Sequence, residues 1–451
     1  MRNRSIVWFR LDLRLEDNEA LTDAIQASDE ILPVFIFDPR MTKATTRFGF
    51  SRQGWHRARF LSECIHSLRA DLRKMGSDLI VRVGYPEQEI FRIADQYKTS
   101  WVFCNRERTR DEVAVQDSLE RQLWTIGQEM RYSRGKMLYY TQDLPFPITH
   151  TPDQFTAFRK EVERYVPIRN PLPRPESLPA INCSIDVGEI PPINELTLDQ
   201  PRDNVKEERY FTGGESVGKI RLEEFINSDI IREHATSKNA LLDKEGSSRL
   251  SPWLAHGCIS PKMIYNALES YKRNTGDKVG AHTMFLELLW RDYFRLMGKK
   301  YGNAIFLKGG IRGMVRRDLK THMKAFMQWA NGNTGVPLVD ACMHQLNQTG
   351  YLPGRGRELV GTYLINDMHL NWQMGASYFE SVLLDYDPCS NYGNWNALAG
   401  IGSDVRKEVT YNIASQARIL DPQGTFIRNW ATRYQNMPLS EINHLHEICQ
   451  N

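Results

Sequence analysis

Two hydrophobic rhythms divide the chain. From the N-terminus to about residue 140, short apolar runs (SIVWF from Ser5, ILPVFIF from Ile31, DLIVRVG from Asp78, SWVFCN from Ser100 and EMRYS from Glu129) alternate with longer amphipathic stretches such as Asp111 to Gln128. Short apolar runs separated by helical periods predict repeated βα units around a parallel sheet. After the FTGGES stretch from Phe211 the helical period takes over: Val217 to Phe225, Pro261 to Tyr271, His282 to Tyr301, Leu338 to Leu346, Arg357 to Asp367 and Gly375 to Leu384. Between Ile168 and Asn204 prolines accumulate and periodicity vanishes, which reads as an extended linker lying on a surface. The expectation is an α/β domain with a parallel sheet over residues 1–140, a linker over 141–205 and an all-helical domain over 206–451.

Composition narrows the class. A chain of 451 residues exceeds the size at which one core usually stops growing, in line with two domains. The net charge of +3 is nearly neutral, so any nucleic-acid affinity must come from a local basic face. Seven scattered cysteines (Cys64, Cys104, Cys183, Cys258, Cys342, Cys389 and Cys449) form no CxxC pair, which argues against zinc and against a disulfide framework, and for a reducing, cytoplasmic setting. SIVWF follows Met1 too closely to leave room for a signal peptide, and no apolar run is long enough to span a membrane. After the first strand comes FRLDLRLEDNEAL, without the GxGxxG pattern a dinucleotide pyrophosphate needs, so the sheet is read as a docking or antenna domain.

Candidate chemistry gathers in four segments of the helical half. In SSRLSPWLAHG, Ser247, Ser248 and Ser251 flank Arg249 and Leu250 at a helix start, a set suited to a phosphate but equally to a helix cap with a surface arginine. In FLELLWRDYFRLM, Leu286, Leu289, Trp290, Tyr293 and Met297 share one helical stripe, and Glu287 stands one turn from Arg291; a core tryptophan beside an ordinary ion pair is the plain alternative. In GYLPGRGRELVG, Arg355 and Arg357 enter an apolar helix and call for a carboxylate, with Asp385 or Asp387 as candidates. The fourth segment, DYDPCSNYGNWN, sets Asp385, Asp387, Asn391 and Trp395 on a short irregular turn between apolar runs. Such density of acceptors and donors suits the polar edge of a flavin ring better than a capped loop.

These motifs, together with VWFRLDLRLEDNEAL, FTGGESVGKIRLEEFI and GNTGVPLVDACMHQL, resemble the photolyase/cryptochrome family, most closely its DASH-type cryptochromes, from about Ser5 to Trp430. The resemblance implies an α/β antenna domain and a helical domain holding FAD. It places Ser247, Ser248, Arg249, Leu250 and Ser251 at the flavin phosphates, and Glu287 and Arg291 beside the adenine and phosphates. Arg357 and Asp385 become the ion pair next to the isoalloxazine, Asp387 the acceptor for its N3–H, Asn391 the amide facing N5, and His234 stands where relatives carry a phosphate-binding tyrosine. Glu287 and Trp290 match groups that contact a flipped cyclobutane pyrimidine dimer. The reaction implied is a light-driven electron transfer that splits the dimer, as in a deoxyribodipyrimidine photolyase, a carbon–carbon lyase.

Departures temper that reading. Gly354, Glu358 and Ala397 replace an asparagine, a methionine or glutamine, and an aromatic of the repair enzymes. The expectation is a monomeric blue-light flavoprotein that binds DNA, preferably single-stranded, with weakened repair; the alternative is a photoreceptor or signalling cryptochrome without efficient repair. Lys299, Lys300, Lys308, Arg312, Arg316, Arg317 and Lys320 could meet phosphates or form only a solvated loop. Glu107 lies near the carboxylate by which relatives hold a folate (methenyltetrahydrofolate) antenna. Trp395 and Trp372 match the inner members of an electron-hopping chain whose outer tryptophan is missing here, and Trp329 or a nearby tyrosine is the substitute expected to reach the surface.

Overall fold

The computed structural model describes residues 3–179, 184–200, 211–241, 246–404 and 410–448; Cys183, Cys449 and parts of the expected linker lie outside them. All five expected strands form: β1 (Arg4–Phe9), β2 (Glu30–Phe37), β3 (Ile80–Val83), β4 (Trp101–Asn105) and β5 (Glu129–Ser133). They pair in parallel in the order β3-β2-β1-β4-β5, so the winding reverses between β1 and β4. In open sheets of this kind a crevice opens beyond the carboxyl ends of the strands at the reversal. Arg10 and Glu107 stand just past those ends of β1 and β4.

Strand period two sorts the sheet's side chains onto two faces. Ile6, Trp8, Val34, Ile36, Ile80, Val102 and Cys104 pack under the helices Pro86–Tyr97 and Arg110–Trp124. Val7, Phe9, Phe35, Phe37, Val81 and Phe103 belong instead to a core that continues into Trp253, Leu254, Leu288 and Leu289. The sheet and the first helices of the C-terminal half thus share one core. Gly257 marks how tightly they meet. Its φ is +69°, and a Cβ there would lie 2.3 Å from the Leu11 carbonyl oxygen.

The second half is helical, as its periodicity predicts, and has a core of its own around Phe326, Trp329, Trp372 and Trp395. Its longest helix, Val279–Tyr301, carries the second candidate segment. The helix expected over Arg357–Asp367 begins at Gly354 and ends in a π-turn, Tyr363–Asp367. Among its described residues the 141–205 stretch departs from an extended path at the 3-10 turns Ile148–His150 and Ile193–Glu195 and at a helix, Phe155–Tyr165, buried through Phe155, Phe158 and Val162. Among the described residues no helix is long and apolar enough to cross a membrane, and no cluster of metal-ligating side chains occurs.

Candidate flavin site

The four segments converge. Asp385, buried at the end of the Trp372–Val382 helix, accepts from Arg357 Nη2 at 2.7 Å and from Ser251 Oγ at 2.6 Å, both through Oδ2. One carboxylate thereby ties the first, third and fourth segments together. Its other oxygen, Oδ1, is buried and has no hydrogen-bond partner among the described residues. An open acceptor of this kind costs about 1–3 kcal/mol unless something donates to it.

Asp387 does two jobs at once. It is the N-cap of the Pro388–Leu398 helix, with Oδ1 accepting from Ser390 N–H at 2.8 Å and from Ser390 Oγ at 2.9 Å, and Pro388 occupies the first helical position, where its missing N–H costs nothing. Its Oδ2 accepts from Arg295 Nη1 at 2.7 Å, bringing in the second segment. Burial alone would raise the Asp387 carboxyl, but the Arg295 and Arg291 guanidiniums and the Ser390 bonds outweigh it and hold the group below the usual range. Asn391, one turn on, is buried and donates through Nδ2 to the Ala376 carbonyl at 3.0 Å, which fixes the orientation of its amide.

The serine turn is held from outside: Arg221 donates to the carbonyls of Ser248 at 3.0 Å and Ser247 at 3.1 Å. Arg249 takes φ +52°, a left-handed conformation that costs a non-glycine residue about 1–2 kcal/mol, and its guanidinium lies over the Tyr351 ring at 6.0 Å. Leu250 is buried beneath the turn. His234 is buried, with neither ring nitrogen hydrogen-bonded among the described residues, and Nε2 stands 3.3 Å from Glu287 Oε1. Glu287 also lies 3.6 Å from Lys238 Nζ. The orphaned atoms of Asp385 and His234, the fixed amide of Asn391 and the donors of the serine turn fit a flavin dinucleotide, which needs donors and acceptors along one edge and cationic or N–H groups at its phosphates.

Several expected placements change. Arg291 points toward the sheet half, donating to the Lys136 carbonyl at 2.7 Å and lying 3.5 Å from that of Leu254. Trp290 stacks on Phe155 at 3.7 Å, so one ring face is already covered. Glu107 is 3% exposed, and each of its oxygens faces a cation: Oε1 pairs with Lys136 and Oε2 lies 3.2 Å from Arg295. A carboxylate so committed does not fit the antenna-holding role expected of it, although it borders a cavity of about 890 Å³ lined also by Phe37, Arg52, Glu380 and Tyr392. Trp329 contacts Trp395 at 6.4 Å but is fully buried, so it is no exit to the surface. Trp372 meets Tyr392 at 6.3 Å, and Tyr392, largely buried, meets Phe306 at 4.6 Å where both line that cavity. Trp395 itself lies against Gly375, where a Cβ would come within 2.2 Å of the indole.

Arg295 is the site residue that sequence reasoning missed. The available signal was a cation one turn beyond Arg291, on the helix face opposite the apolar stripe. The mouth of the site also differs from expectation, because Glu358 is engaged, accepting from Arg355 at 2.9 Å and from the Tyr411 hydroxyl at 2.9 Å. Gly354 has nothing within 4 Å of a would-be Cβ, and Ala397 is exposed. The basic run divides as well. Lys300 is bound to Asp153 at 2.6 Å and Arg316 to Asp318 at 2.6 Å, while Lys299, Lys308, Arg312, Arg317 and Lys320 are exposed.

A sheet-containing half joined to a helical half that gathers a polar edge in its interior defines a flavoprotein of the photolyase type. The profile of DNA photolyase matches residues 5–176, and that of the FAD binding domain of DNA photolyase matches residues 284–451. The chain is 38% identical to a cryptochrome DASH of Gloeobacter violaceus over 97% of its own length and 87% of the relative's, and 37% identical to that of Xenopus laevis over 96% and 83%. Its fold matches the crystal structure of a Synechocystis cryptochrome with a TM-score of 0.92 at 38% identity, over 98% of this chain and 91% of the other. An archaeal photolyase from Sulfolobus tokodaii with two FAD molecules matches at 0.79 and 27% identity, over 98% and 94%. The chain belongs to the photolyase/cryptochrome family, in its cryptochrome DASH group, and carries that family's FAD-binding domain.

Proposed function

We propose that this protein is a blue-light flavoprotein that binds single-stranded DNA and splits cyclobutane pyrimidine dimers in it with low efficiency. The observation that carries the reading is the meeting of all four segments at Asp385 and Asp387, around the unfilled acceptor Asp385 Oδ1. FAD bound there supplies light-driven one-electron donation. The chain's own contribution is to bind, orient and shield. Ser247, Ser248 and Arg249 hold phosphates, while the Ser251 hydroxyl, committed to Asp385, steadies the ring end; Asp385 and Asp387 accept from the ring edge; Asn391 presents its amide to N5. Glu287 and Trp290 take the lesion, with Trp290 held rigid by Phe155 and offering its remaining surface. Trp395, Trp372 and Tyr392 relay electrons that recharge the site. The division into an antenna domain over 1–140, a connecting segment over 141–205 and a flavin domain over 206–451 belongs to the same proposal.

Weak repair follows from the mouth. No aromatic stands at Ala397 to stack on the extruded base, a contact worth about 1–3 kcal/mol. The exposed cations Lys299, Lys308, Arg312, Arg317 and Lys320 are the phosphate contacts available, which makes binding salt-dependent. The test is blue-light repair of a dimer-containing oligonucleotide, single-stranded against duplex, by the purified flavoprotein. Slow repair in single strands and slower repair in duplex is the expected result. Binding without any repair would favour the photoreceptor reading, and efficient duplex repair would overturn both.

A further inference from the structure

Lys136, Glu107, Arg295 and Asp387 form one chain of alternating charge, the first three buried and Asp387 largely so. Glu107 follows β4, Lys136 follows β5, Arg295 lies in the middle of the Val279–Tyr301 helix and Asp387 caps the Pro388–Leu398 helix. Arg295 reaches both carboxylates, at 2.7 Å to Asp387 Oδ2 and 3.2 Å to Glu107 Oε2, while Lys136 closes on the other oxygen of Glu107. The Glu107 backbone N–H donates to Gln116 Oε1 at 2.7 Å, and that oxygen also accepts from Arg10 at 2.7 Å, so the carboxylate is fixed from behind as well. Arg295 Nε is buried without a partner, leaving the two carboxylates as its acceptors among the described residues.

We propose that Arg295 is the positioning residue that fixes the orientation and charge of Asp387 at the flavin, with Glu107 as its buried counterion rather than a ligand of a second chromophore. The proposal rests on the assignment of Asp387 to FAD. Its geometry is specific: Ser390 occupies Asp387 Oδ1 with two bonds, so the free acceptor position is on Oδ2, the oxygen that Arg295 aims. Burial lowers the charged form's stability everywhere in the chain, yet Lys136, Arg10 and Arg295 pull Glu107 down to about 2, and Asp387 with Glu107 hold Arg295 firmly charged. Interior charges at such distances act far more strongly than surface ones. Arg108, Arg291, Glu112 and Asp292 surround the chain and set its background potential.

The consequence is a pair of effects of opposite sign. Arg295→Gln leaves Asp387 uncompensated beside the flavin, which disfavours adding an electron and lowers the midpoint potential of bound FAD. Glu107→Gln leaves Arg295 less neutralised and raises it. Arg295→Lys keeps the charge and restores most of the shift. Spectroelectrochemical titration of the FAD-bound protein reads all three, and titration with methenyltetrahydrofolate, followed by its near-ultraviolet band, reads the second role of Glu107. Opposite shifts with folate affinity equal in Glu107→Gln and the parent support the proposal. Shifts of one sign, no shift from Glu107→Gln, or loss of folate binding in that variant overturns it. Should Arg295→Gln fail to hold FAD, Glu107→Gln and Arg295→Lys still decide. Full FAD retention by Asp387→Ala would instead remove the flavin assignment itself, a separate failure.

Discussion

The chain contains two polar islands between apolar runs, FRLDLRLEDNEAL from the last residue of β1 and DYDPCSNYGNWN, which runs into the Pro388–Leu398 helix, and the structure gives them different fates. In the first, Arg14 donates to the carbonyls of Gly257 at 2.8 Å, Asp17 at 2.7 Å and Gly135 at 3.1 Å; Asp17 accepts from Lys262 and the Leu172 N–H; Asp12 accepts from the Arg10 N–H and from Asn105. Most of these partners are backbone groups, fixed once the fold forms. In the second, Asp385 and Asp387 are met by side chains of Ser251, Arg357 and Arg295, converging from three other helices. Each island keeps one buried carboxylate oxygen without a partner among the described residues, Asp17 Oδ2 in the first and Asp385 Oδ1 in the second, so the difference lies in the partners: mostly backbone in the first, a joint, and side chains converging from other helices in the second, the candidate binding site. Polar density alone does not tell them apart.

The largest expected effect separates the two by stability. Arg14→Met orphans three buried carbonyls and should cost about 3 kcal/mol or more, at roughly 1 kcal/mol per acceptor, without changing FAD affinity relative to the folded protein. Thermal unfolding with and without FAD checks this. Equal loss of flavin affinity would mean that the first island is no mere joint. Asp387→Ala should do the reverse, weakening FAD binding by about 1–3 kcal/mol, which is roughly five- to 150-fold, as read by flavin retention or fluorescence titration.

The pH dependence sharpens the comparison at their shared border. His256 sits beside the joint, buried, with Nδ1 3.0 Å from the Pro252 carbonyl, and burial lowers it to about 4. An imidazole that is neutral in the fold and ordinary when unfolded contributes stability above its unfolded pKa of about 6.5, lost as pH falls toward about 4. The loss amounts to roughly 3 kcal/mol. Asp292 works against it: burial raises it to about 6, so its contribution grows as pH falls from about 6 toward the ordinary carboxylate range. His256→Gln should therefore flatten or reverse the acid destabilisation between these pH values in urea titrations. An unchanged slope would place the titrating group elsewhere.

How much of this was legible beforehand follows from the same physics. Strands β1 to β4 are visible as short apolar runs closed by turn residues and β5 by alternation, and amphipathic helices such as Pro86–Tyr97 by their one buried face, while Trp372–Val382 is buried all round. Arg357 with Asp385 is legible too, since an arginine entering a core requires a carboxylate close by. The partner of Asp387 was not, because Arg295 lies 92 residues away and stands opposite the apolar stripe of its helix, where the periodic pattern reads it as a solvated cation. Glu107 is placed by resemblance alone, and the cations that meet it, Lys136 and Arg295, come from 29 and 188 residues away. Phe155 over Trp290 is likewise a contact between segments that nothing local announces.

The smallest expected effect lies at the mouth, outside both islands. Glu358 is about half exposed and shares Arg355 and Tyr411, a surface arrangement whose net contribution is about 0–1 kcal/mol. Glu358→Gln should leave the unfolding temperature within a degree or two, on the order of 0.5 kcal/mol or less. What it changes is charge: with the carboxylate gone, Arg355 keeps Tyr411 but loses its counterion and becomes a cation facing any strand that approaches. Binding of single-stranded oligonucleotide should tighten by a small factor at low salt, and the gain should fade as salt screens it. Ala397→Tyr in the same background adds a ring at an exposed position, and should raise repair rather than binding alone, because a stacked base is held in place for the electron transfer. A tightening that survives high salt would point to a reshaped loop instead of a charge effect, and no gain in repair from the added ring would mean that the lesion does not enter over Ala397.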